Sequence, residues 1–145
     1  MNEALNEKLV RLIATIDLSD ILPVELHSAR LGDGIGLNEE LQMDISLAFA
    51  DGDPAQNGDM LIFRPKYDLV IKKNKAGIFR QTTKFIVTFR VKDAAGWESV
   101  WSDAALQELF KSRQINKLLW PFFRQQVIDG MTRVGLPPVT LKWIV

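Results

Sequence analysis

Few side chains in this sequence are of the types that carry out catalysis. The only histidine, His27, lies in a stretch that reads as a strand, and no second base or ligand cluster accompanies it. Nucleophilic catalysis needs a base within reach of the nucleophile, so a lone histidine favours a structural role. The chain has no cysteine, which excludes thiolate chemistry and cysteine-based metal sites. These residues predict a protein that is not an enzyme.

Two loops contain the residue types of ligand-binding motifs without the required spacing. The glycine-rich run at residues 32–36, GDGIG, does not have the spacing of a dinucleotide-binding fingerprint, and no strand–helix unit surrounds it. The run at residues 51–59 contains aspartates, but it has neither the spacing nor the final glutamate of an EF-hand loop. The sequence therefore predicts no cofactor and no metal ion.

Composition and charge narrow the class of protein further. The chain has 145 residues, of which 47% are hydrophobic, and this suits a single domain with a real core. Its 18 basic and 18 acidic residues balance, which argues against a nucleic-acid partner and is compatible with self-association. No apolar run approaches the roughly 20 residues of a membrane span, and no secretion signal opens the chain. We expect a cytoplasmic protein that does not insert into a membrane.

The elements read as one helix followed by strands. Apolar residues at helical spacing predict an amphipathic helix over residues 3–16, and residues 17–22 read as a connector. Strands are predicted over residues 24–31, 41–49, 60–72 and 78–92, with a hairpin turn in which Gly77 takes the positive φ. Ser102 is predicted to cap a short helix that runs to about residue 111. The stripe of the first helix is Leu5, Leu9, Leu12, Ile13 and Ile16.

These elements predict an α+β fold, in which a four-stranded antiparallel sheet is followed by helices and preceded by an extra N-terminal amphipathic helix. We expect one domain over residues 1–145, with the helix in 1–18, the sheet in 22–92, and the helices and a C-terminal extended segment in 101–145. In the second strand, apolar residues alternate with polar ones, which predicts one buried and one solvated face. The residues of the predicted buried face are Leu41, Met43, Ile45, Leu47 and Phe49.

The most informative stretch spans residues 117–143. Apolar residues at steps of three and four predict a long helix from near residue 115. Gly135 suits the left-handed residue after a helix end, and the following pair of prolines cannot continue the helix. Beyond them, alternating apolar residues predict an extended segment. The apolar face of the helix is Trp120, Phe123, Val127, Met131 and Val134, and the extended residues are Val139, Leu141 and Trp143.

This stretch resembles the C-terminal part of the protein-export chaperone SecB family. That family carries Leu-aromatic-Pro-aromatic before an arginine, then a long helix and an Arg-Gly-x-Phe-Pro turn. The counterparts here are Leu119-Trp120-Pro121-Phe122-Phe123-Arg124 and Arg133-Val134-Gly135-Leu136-Pro137. The glycine is displaced by one position, Leu136 stands for an aromatic residue, and Pro138 is extra. The order of the elements matches from about residue 22 to residue 143, whereas the N-terminal helix lies outside the resemblance.

The resemblance implies a chaperone of the holdase type, which binds unfolded polypeptides in hydrophobic grooves without a cofactor. It also implies a homotetramer built as a dimer of dimers, and a SecA-type motor as a partner in protein export. SecB proteins are typically acidic, which suits docking on that motor, whereas this chain is neutral. The alternative is a dedicated SecB-like adaptor for one partner, such as a component of a toxin–antitoxin system.

Two sets of residues are predicted to form the functional surfaces. Apolar residues in connections and near the chain end are hard to bury completely, so we expect them to bind clients, the alternative being that they form the core. The predicted client-binding residues are Trp97, Trp101, Phe110, Leu136, Val139, Leu141 and Trp143. The predicted oligomer interface is Phe123, Val127, Gly130 and Met131. Gly130 costs its helix about 1 kcal/mol relative to alanine, which close packing of another helix, or simple tolerance, would explain.

Overall fold

The computed structural model describes residues 3–32 and 41–139. In chain order, the elements begin with helix α1 (Glu3–Ile13), followed by six strands and three further helices, with a π-helical turn (Phe110–Ile115) between the last two helices. The strands are β1 (Ile16–Arg30), β2 (Leu41–Phe49), β3 (Ala55–Asn57), β4 (Met60–Phe63), β5 (Pro65–Lys73) and β6 (Ala76–Val91). The helices after them are α2 (Ala94–Trp101), α3 (Ala104–Leu109) and α4 (Asn116–Arg133).

The described strands form one six-stranded sheet, rather than the four-stranded sheet that the sequence predicts. The hydrogen-bonded order is β2-β5-β6-β4-β3, and β1 pairs with β6. The long third strand of the prediction is divided in two at Arg64, whose backbone N–H donates to the Asp53 carboxylate instead of to a neighbouring strand. Pro65 has no N–H to donate. The β6 partners keep one register on both sides of this break, so the interruption is local.

The first strand begins earlier than the sequence predicts, because residues 17–22 belong to β1 and are not a connector. Helix α1 correspondingly ends at Ile13 and not at residue 16. The Thr15 hydroxyl donates to the Leu12 carbonyl over 2.6 Å, and the Thr15 carbonyl accepts from the backbone N–H groups of Lys92 and Asp93. Pairing with β6 thus draws this stretch into the sheet, which overrides its local helical pattern.

The hairpin between β5 and β6 has a different turn from the predicted one. Asn74 and Lys75 take positive φ values of 50° and 67°, whereas Gly77 lies within β6. Lys73 pairs with Ala76, so the turn has two residues, and two successive positive φ values are typical of a type I′ turn. The prediction that Gly77 supplies the positive φ is therefore wrong.

Helices α2 and α3 begin at aspartates. Helix α2 was not predicted, and it starts where the Asp93 side chain accepts from the Gly96 N–H. Asp103 caps α3 by accepting from the backbone N–H groups of Ala105 and Leu106, so the predicted cap at Ser102 is wrong by one residue. Both carboxylates satisfy N–H groups that a helix start leaves without partners. The predicted end of α4 is confirmed, since Gly135 has a φ of 76°.

The described chain divides into two compact units, each built from three separate stretches. The single domain over residues 1–145 stays a prediction. The first unit takes its described residues from Met1–Leu22, Phe49–Arg64 and Ile86–Leu118. The second takes them from Pro23–Ala48, Pro65–Phe85 and Leu119–Val145. Each unit has its own buried apolar residues.

Candidate functional site

The apolar face of α4 is buried in the second unit against the strands of its own chain. The Phe123 ring stacks on Tyr67 of β5, with centroids 4.3 Å apart and planes 13° from parallel. Val127 and Met131 are fully buried on the same face. Three of the four residues predicted to form an oligomer interface therefore pack inside the chain, where they have no exposed surface to offer to a second copy.

Gly130, the fourth of these residues, allows α4 to approach the sheet closely. A Cβ atom added to Gly130 would clash with Oε1 of Gln81 and would lie 2.6 Å from Oγ of Ser28 and 3.2 Å from the Phe79 ring. The Ser28 hydroxyl donates to the buried Gln81 side chain over 2.9 Å, so α4 approaches the sheet at a part-buried polar pair. The glycine is explained by packing against strands, which is neither the packing of another helix nor simple tolerance.

An aromatic cluster organises the first unit around Phe63. The Phe63 ring meets those of Phe49, Phe89, Trp101 and Phe110 at centroid distances between 5.5 and 6.3 Å. Trp97 stacks on Trp101 at 4.5 Å. Trp97 and Phe110 are buried, while Trp101 stays half-buried. Of these three predicted client-binding residues, only Trp101 retains accessible surface in this structure, and the burial of the other two is what the core alternative predicts.

The predicted client-binding residues after α4 fall into three groups. Leu136 is buried, and its backbone N–H donates to the Met131 carbonyl over 2.9 Å just after the end of α4. Val139 is half-buried. Leu141 and Trp143 lie outside the described residues. Leu136 therefore belongs to the packed helix end, and Val139 keeps part of its surface accessible.

Exposed apolar side chains occur on the face of β2 that the sequence predicts to be buried. Met43 is 38% exposed and Ile45 is 37% exposed, while Leu41 and Leu47 are half-buried. They alternate in step with Phe49, whose ring meets the buried Phe63, so they point to the core side of the sheet. We call Leu41, Met43, Ile45 and Leu47 the β2 shelf.

The edge strand β1 also leaves apolar side chains uncovered. Val24 and Leu26 in the second unit are exposed, as are Leu18 and Leu22 in the first. Ser28 bonds to the buried Gln81, so Val24 and Leu26, at alternate positions before it, also point to the core side. A strand with one free edge and exposed apolar residues is a ready site for pairing with another chain.

The width of a helix explains why these edge strands are uncovered. Helix α4 packs over β5 and β6 through Tyr67 and Phe79, and at Gly130 it also approaches Ser28 of β1. A helix is about 10 Å wide and strands lie roughly 4.8 Å apart, so one helix covers about two strands. In the second unit, the strands beyond these two, β2 and β1, therefore keep apolar side chains exposed on the core side. No local sequence signal distinguishes them, because their alternation matches that of a covered strand.

The polar side chains of the described residues form ion pairs and no catalytic arrangement. His27 contacts Glu25 at 2.8 Å on the surface, and Lys84 contacts the same carboxylate at 3.1 Å. These two partners lower the pKa of Glu25 below its ordinary value. Burial raises the pKa of Tyr67. Within residues 3–32 and 41–139, no group of three acidic, histidine or cysteine side chains is placed to hold a metal ion.

None of the helices in the described ranges is both long enough and apolar enough to cross a lipid bilayer. No protein-family model matches the sequence, and no curated protein matches it.

The fold has counterparts among solved structures. The SecB-like chaperone Rv1957 of Mycobacterium tuberculosis, solved in complex with a ChAD peptide from the Rv1956 HigA1 antitoxin, matches with a TM-score of 0.70 and 21% identity. The match covers 97% of this chain and 99% of that one. A Streptococcus agalactiae protein of unknown function matches with a TM-score of 0.40 and 9% identity, over 88% of this chain and 97% of that one.

The match to the mycobacterial chaperone extends further along the chain than the sequence resemblance, which leaves out the first helix. At 97% coverage, the eleven residues of α1 cannot all fall outside the aligned part. The resemblance to SecB proteins is thus confirmed at the level of the fold, with six strands in place of four. The described chain has the α+β fold of a SecB-like chaperone.

Proposed function

We propose that this protein is a chaperone that holds extended, non-native polypeptide segments on the β2 shelf. The observation that carries the proposal is the exposure of Met43 and Ile45 on the core side of a fold that matches a SecB-like chaperone almost from end to end. Apolar side chains in such a position are hydrated in the free protein. Covering them with the side chains of a client removes apolar surface from water.

The shelf is suited to clients of many sequences. A strand presents side chains of one face every second residue, so an extended client segment meets the shelf with alternate side chains. Methionine is unbranched and adapts to differently shaped partners, which favours promiscuous binding. Each apolar client side chain that becomes fully buried contributes about 1.5–3 kcal/mol before ordering costs. Several such contacts are enough for micromolar binding.

The predicted client-binding residues differ in how accessible they are to a client. Trp101 and Val139 remain candidates, because each keeps accessible surface in its own unit. Trp97, Phe110 and Leu136 would have to leave packed positions before they could touch a client. Client binding at Leu141 and Trp143 stays a prediction.

The double substitution Met43→Ser/Ile45→Ser tests the shelf. We expect it to weaken binding of an unfolded, fluorescently labelled peptide by roughly tenfold or more, since it removes apolar contacts of about 1 kcal/mol each. The melting temperature should change little, because both side chains are already exposed. Val10→Ser is the matched control, as Val10 is 68% exposed on α1. Equal affinity of wild type and double variant would place client binding elsewhere.

A dedicated adaptor is the second candidate function, and one observation favours it: the mycobacterial relative in fold was solved with an antitoxin peptide bound. An array of unrelated denatured clients separates the two functions. A general holdase suppresses aggregation of most members of the array, and the Met43→Ser/Ile45→Ser variant loses that activity. A dedicated adaptor protects one partner and leaves the rest to aggregate. Transfer of clients to a SecA-type motor stays a prediction.

We also propose that copies of this chain associate through surfaces other than the four predicted interface residues. Among the described strands β1 pairs with β6 alone, and its other edge offers backbone hydrogen-bonding groups next to Val24 and Leu26. On α4, the large apolar residue that remains exposed is Phe122, at 51%. Two different surfaces of this kind are what a dimer of dimers requires, because each of its two interfaces uses a separate patch.

A further inference from the structure

The outward face of the sheet in the second unit is rich in cations. Buried residues such as Leu69 and Ile71 alternate along β5 with outward residues, and the β6 partners of those outward residues face the same way. The two-residue hairpin turn adds an exposed lysine at the end of this face. We call the set Lys66, Lys72, Lys75, Arg80 and Lys84 the basic surface.

Three carboxylates on the described part of this face are already engaged. Asp68 lies 3.6 Å from the Lys66 ammonium and 3.8 Å from the Arg80 guanidinium. Asp44 accepts from Lys72 at 2.9 Å, and Glu25 contacts Lys84 at 3.1 Å. The pKa of each of the three carboxyl groups lies below its ordinary value, first because of hydrogen bonds with Thr82 for Asp68, with Lys72 for Asp44 and with His27 for Glu25, so all three are charged at neutral pH. With five cations and three anions among its described residues, this face keeps a positive excess although the chain as a whole is neutral.

Two of these cations occupy positions that local structure disfavours. Lys66 and Lys84 are direct partners across the strands, and like charges placed opposite each other destabilise a sheet. Lys75 has a φ of 67°, in the left-handed region where a type I′ turn prefers glycine. Residues that break a local preference without a packing gain are often found at functional sites. Both departures place positive charge on the same face.

The basic surface meets the β2 shelf at a small hollow. This hollow, of about 240 Å³, is lined by Leu41, Gln42, Lys72, Asn74 and Lys75. Leu41 is the first residue of the shelf, and Met43 follows two residues later on the same face. The shelf lies on the core side of the sheet and the basic surface on the outward side, so an extended chain reaches the lysines by passing round the end of β2 at the hollow. This takes a few residues at roughly 3.3 Å per residue.

We infer that the basic surface binds an acidic stretch of the same polypeptide whose apolar stretch lies on the β2 shelf. The inference rests on the proposed function, because it specifies which clients the shelf selects: apolar segments flanked within a few residues by aspartate or glutamate. The hollow takes one or two carboxylates, and the outward cations attract those that follow. The apolar contacts hold the client, and the charges decide between clients.

An acidic polypeptide fits this face better than a nucleic acid does. Asp68, Asp44 and Glu25 are spread among the cations and would repel a continuous run of phosphates. Proteins that bind single strands use aromatic side chains as stacking platforms. Among the described residues, the outward positions of β5 and the facing half of β6 carry no aromatic side chain. Side-chain carboxylates, which are spaced along a chain, can avoid the three anions.

Three synthetic peptides test the inference by fluorescence anisotropy with the full chain. The peptides share one apolar core and differ in the flank, which is acidic, neutral or basic. Each peptide is made in two versions, one with the flank before the core and one with the flank after it. We expect the acidic peptide, in at least one order, to bind about tenfold more tightly than the neutral one, and the basic one least tightly. In about 1 M salt the three affinities should converge, because the screening length falls to roughly 3 Å.

Variants that remove one or two charges show which lysines cause the preference for the acidic flank. Lys75→Gly should lower the preference for the acidic flank by about threefold without loss of melting temperature, since glycine suits the turn. Lys72→Gln/Lys75→Gly should remove most of the preference. Lys117→Gln is the matched control, an exposed cation in the first unit, and should leave it unchanged.

The outcomes separate this inference from the proposed function. If acidic and neutral peptides bind equally in low salt while Met43→Ser/Ile45→Ser weakens both, the shelf holds clients and the inference about charge is overturned. If no peptide binds at all, the proposed function fails. The last experiment measures binding of a single-stranded oligonucleotide. If the oligonucleotide binds tightly, if Lys72→Gln/Lys75→Gly abolishes this binding, and if the protein shows no preference among the peptides, the basic surface binds nucleic acid instead.

Discussion

Gly130 shows how a single residue positions the helix that covers the sheet. In the middle of α4 a glycine lowers helix stability, yet here it lets the backbone approach Ser28, Phe79 and Gln81. The close approach buries Val127 and Met131 on either side of it. The loss in helix propensity is thus offset by packing between helix and strands.

Gly130→Ala should lower the free energy of unfolding by roughly 1–2 kcal/mol. Overpacking costs about 1–3 kcal/mol, and the gain in helix propensity returns up to about 1 kcal/mol. Urea titration followed by circular dichroism measures the change. Gln125→Ala, on the exposed face of α4, is the control and should stay within about 0.5 kcal/mol of wild type. A more stable Gly130→Ala protein would show that the glycine is merely tolerated.

Asp103 combines two roles, since it caps α3 and accepts from Lys8 of α1 at 2.8 Å. The hydrogen bond from Lys8 is the main reason that the pKa of Asp103 lies below its ordinary value. A lowered carboxyl pKa contributes stability above the unfolded-state pKa, and this stability is lost as the pH falls through the folded-state pKa.

Asp103→Asn should therefore flatten part of the fall in stability below about pH 4, since asparagine still caps a helix but does not titrate. Melting temperatures of both proteins between about pH 7 and pH 2.5 measure the effect. At neutral pH the variant should be slightly less stable, and the two curves should approach each other in acid. Parallel curves over the whole range would mean that the Lys8–Asp103 pair does not contribute.

Among the elements, α1 is the one whose role the sequence leaves open among core packing, a lid over a client groove, and an exposed appendage. In the structure it contacts α2 and α3 within the first unit, and Leu12 is fully buried. Its neighbour Val10 points away and is exposed. These contacts favour a packing role for the buried side of α1.

Two substitutions on α1 separate its faces. Leu12→Ala should lower the free energy of unfolding by about 2–5 kcal/mol, as truncation of a buried leucine leaves a cavity. Val10→Ser should change it by less than about 0.5 kcal/mol. Chemical denaturation gives both values. A small effect of Leu12→Ala, together with tighter peptide binding, would support the lid hypothesis instead.

At the scale of the whole molecule, zero net charge and exposed apolar edges favour association of copies. The exposed residues on β1 and the single exposed aromatic residue of α4 are separate patches. If each patch forms one interface, removal of one should leave a dimer and removal of both should leave a monomer. The same reasoning assigns no interface role to the buried residues Phe123, Val127, Gly130 and Met131.

Sedimentation velocity at micromolar concentration tests this assembly. Wild type should sediment as a tetramer, Val24→Lys/Leu26→Lys and Phe122→Ser each as a dimer, and the triple variant as a monomer of about 16.4 kDa. Charged residues on an edge strand oppose pairing between chains, whereas serine removes an apolar contact. Val10→Ser should leave the tetramer intact. A wild-type protein that sediments as a monomer would exclude the whole scheme.

Local chemistry in the sequence determined much of this structure. Alternation predicted the strands, periodicity predicted α4, and Gly135 with two prolines marked its end, because these signals depend on residues a few positions apart. The stretch around Trp120 and Pro121 also pointed to the SecB-like fold. Where pairing partners are distant, prediction failed: residues 17–22 joined β1 through β6, and Arg64 left the strand for Asp53.

Only the tertiary structure decided which apolar residues stay accessible. Met43 and Phe123 look alike as members of an apolar face, but one helix covers about two strands, so Phe123 is buried while Met43 is not. The distribution of charged side chains is also decided by the tertiary structure. A net charge of zero does not tell how positive and negative side chains are distributed over the surface. In the folded protein, several cations lie on one face of the second unit. Which apolar side chains a helix covers, and which charged side chains lie together, both depend on which distant strands pair with each other. The spacing of residues along the chain does not determine that pairing.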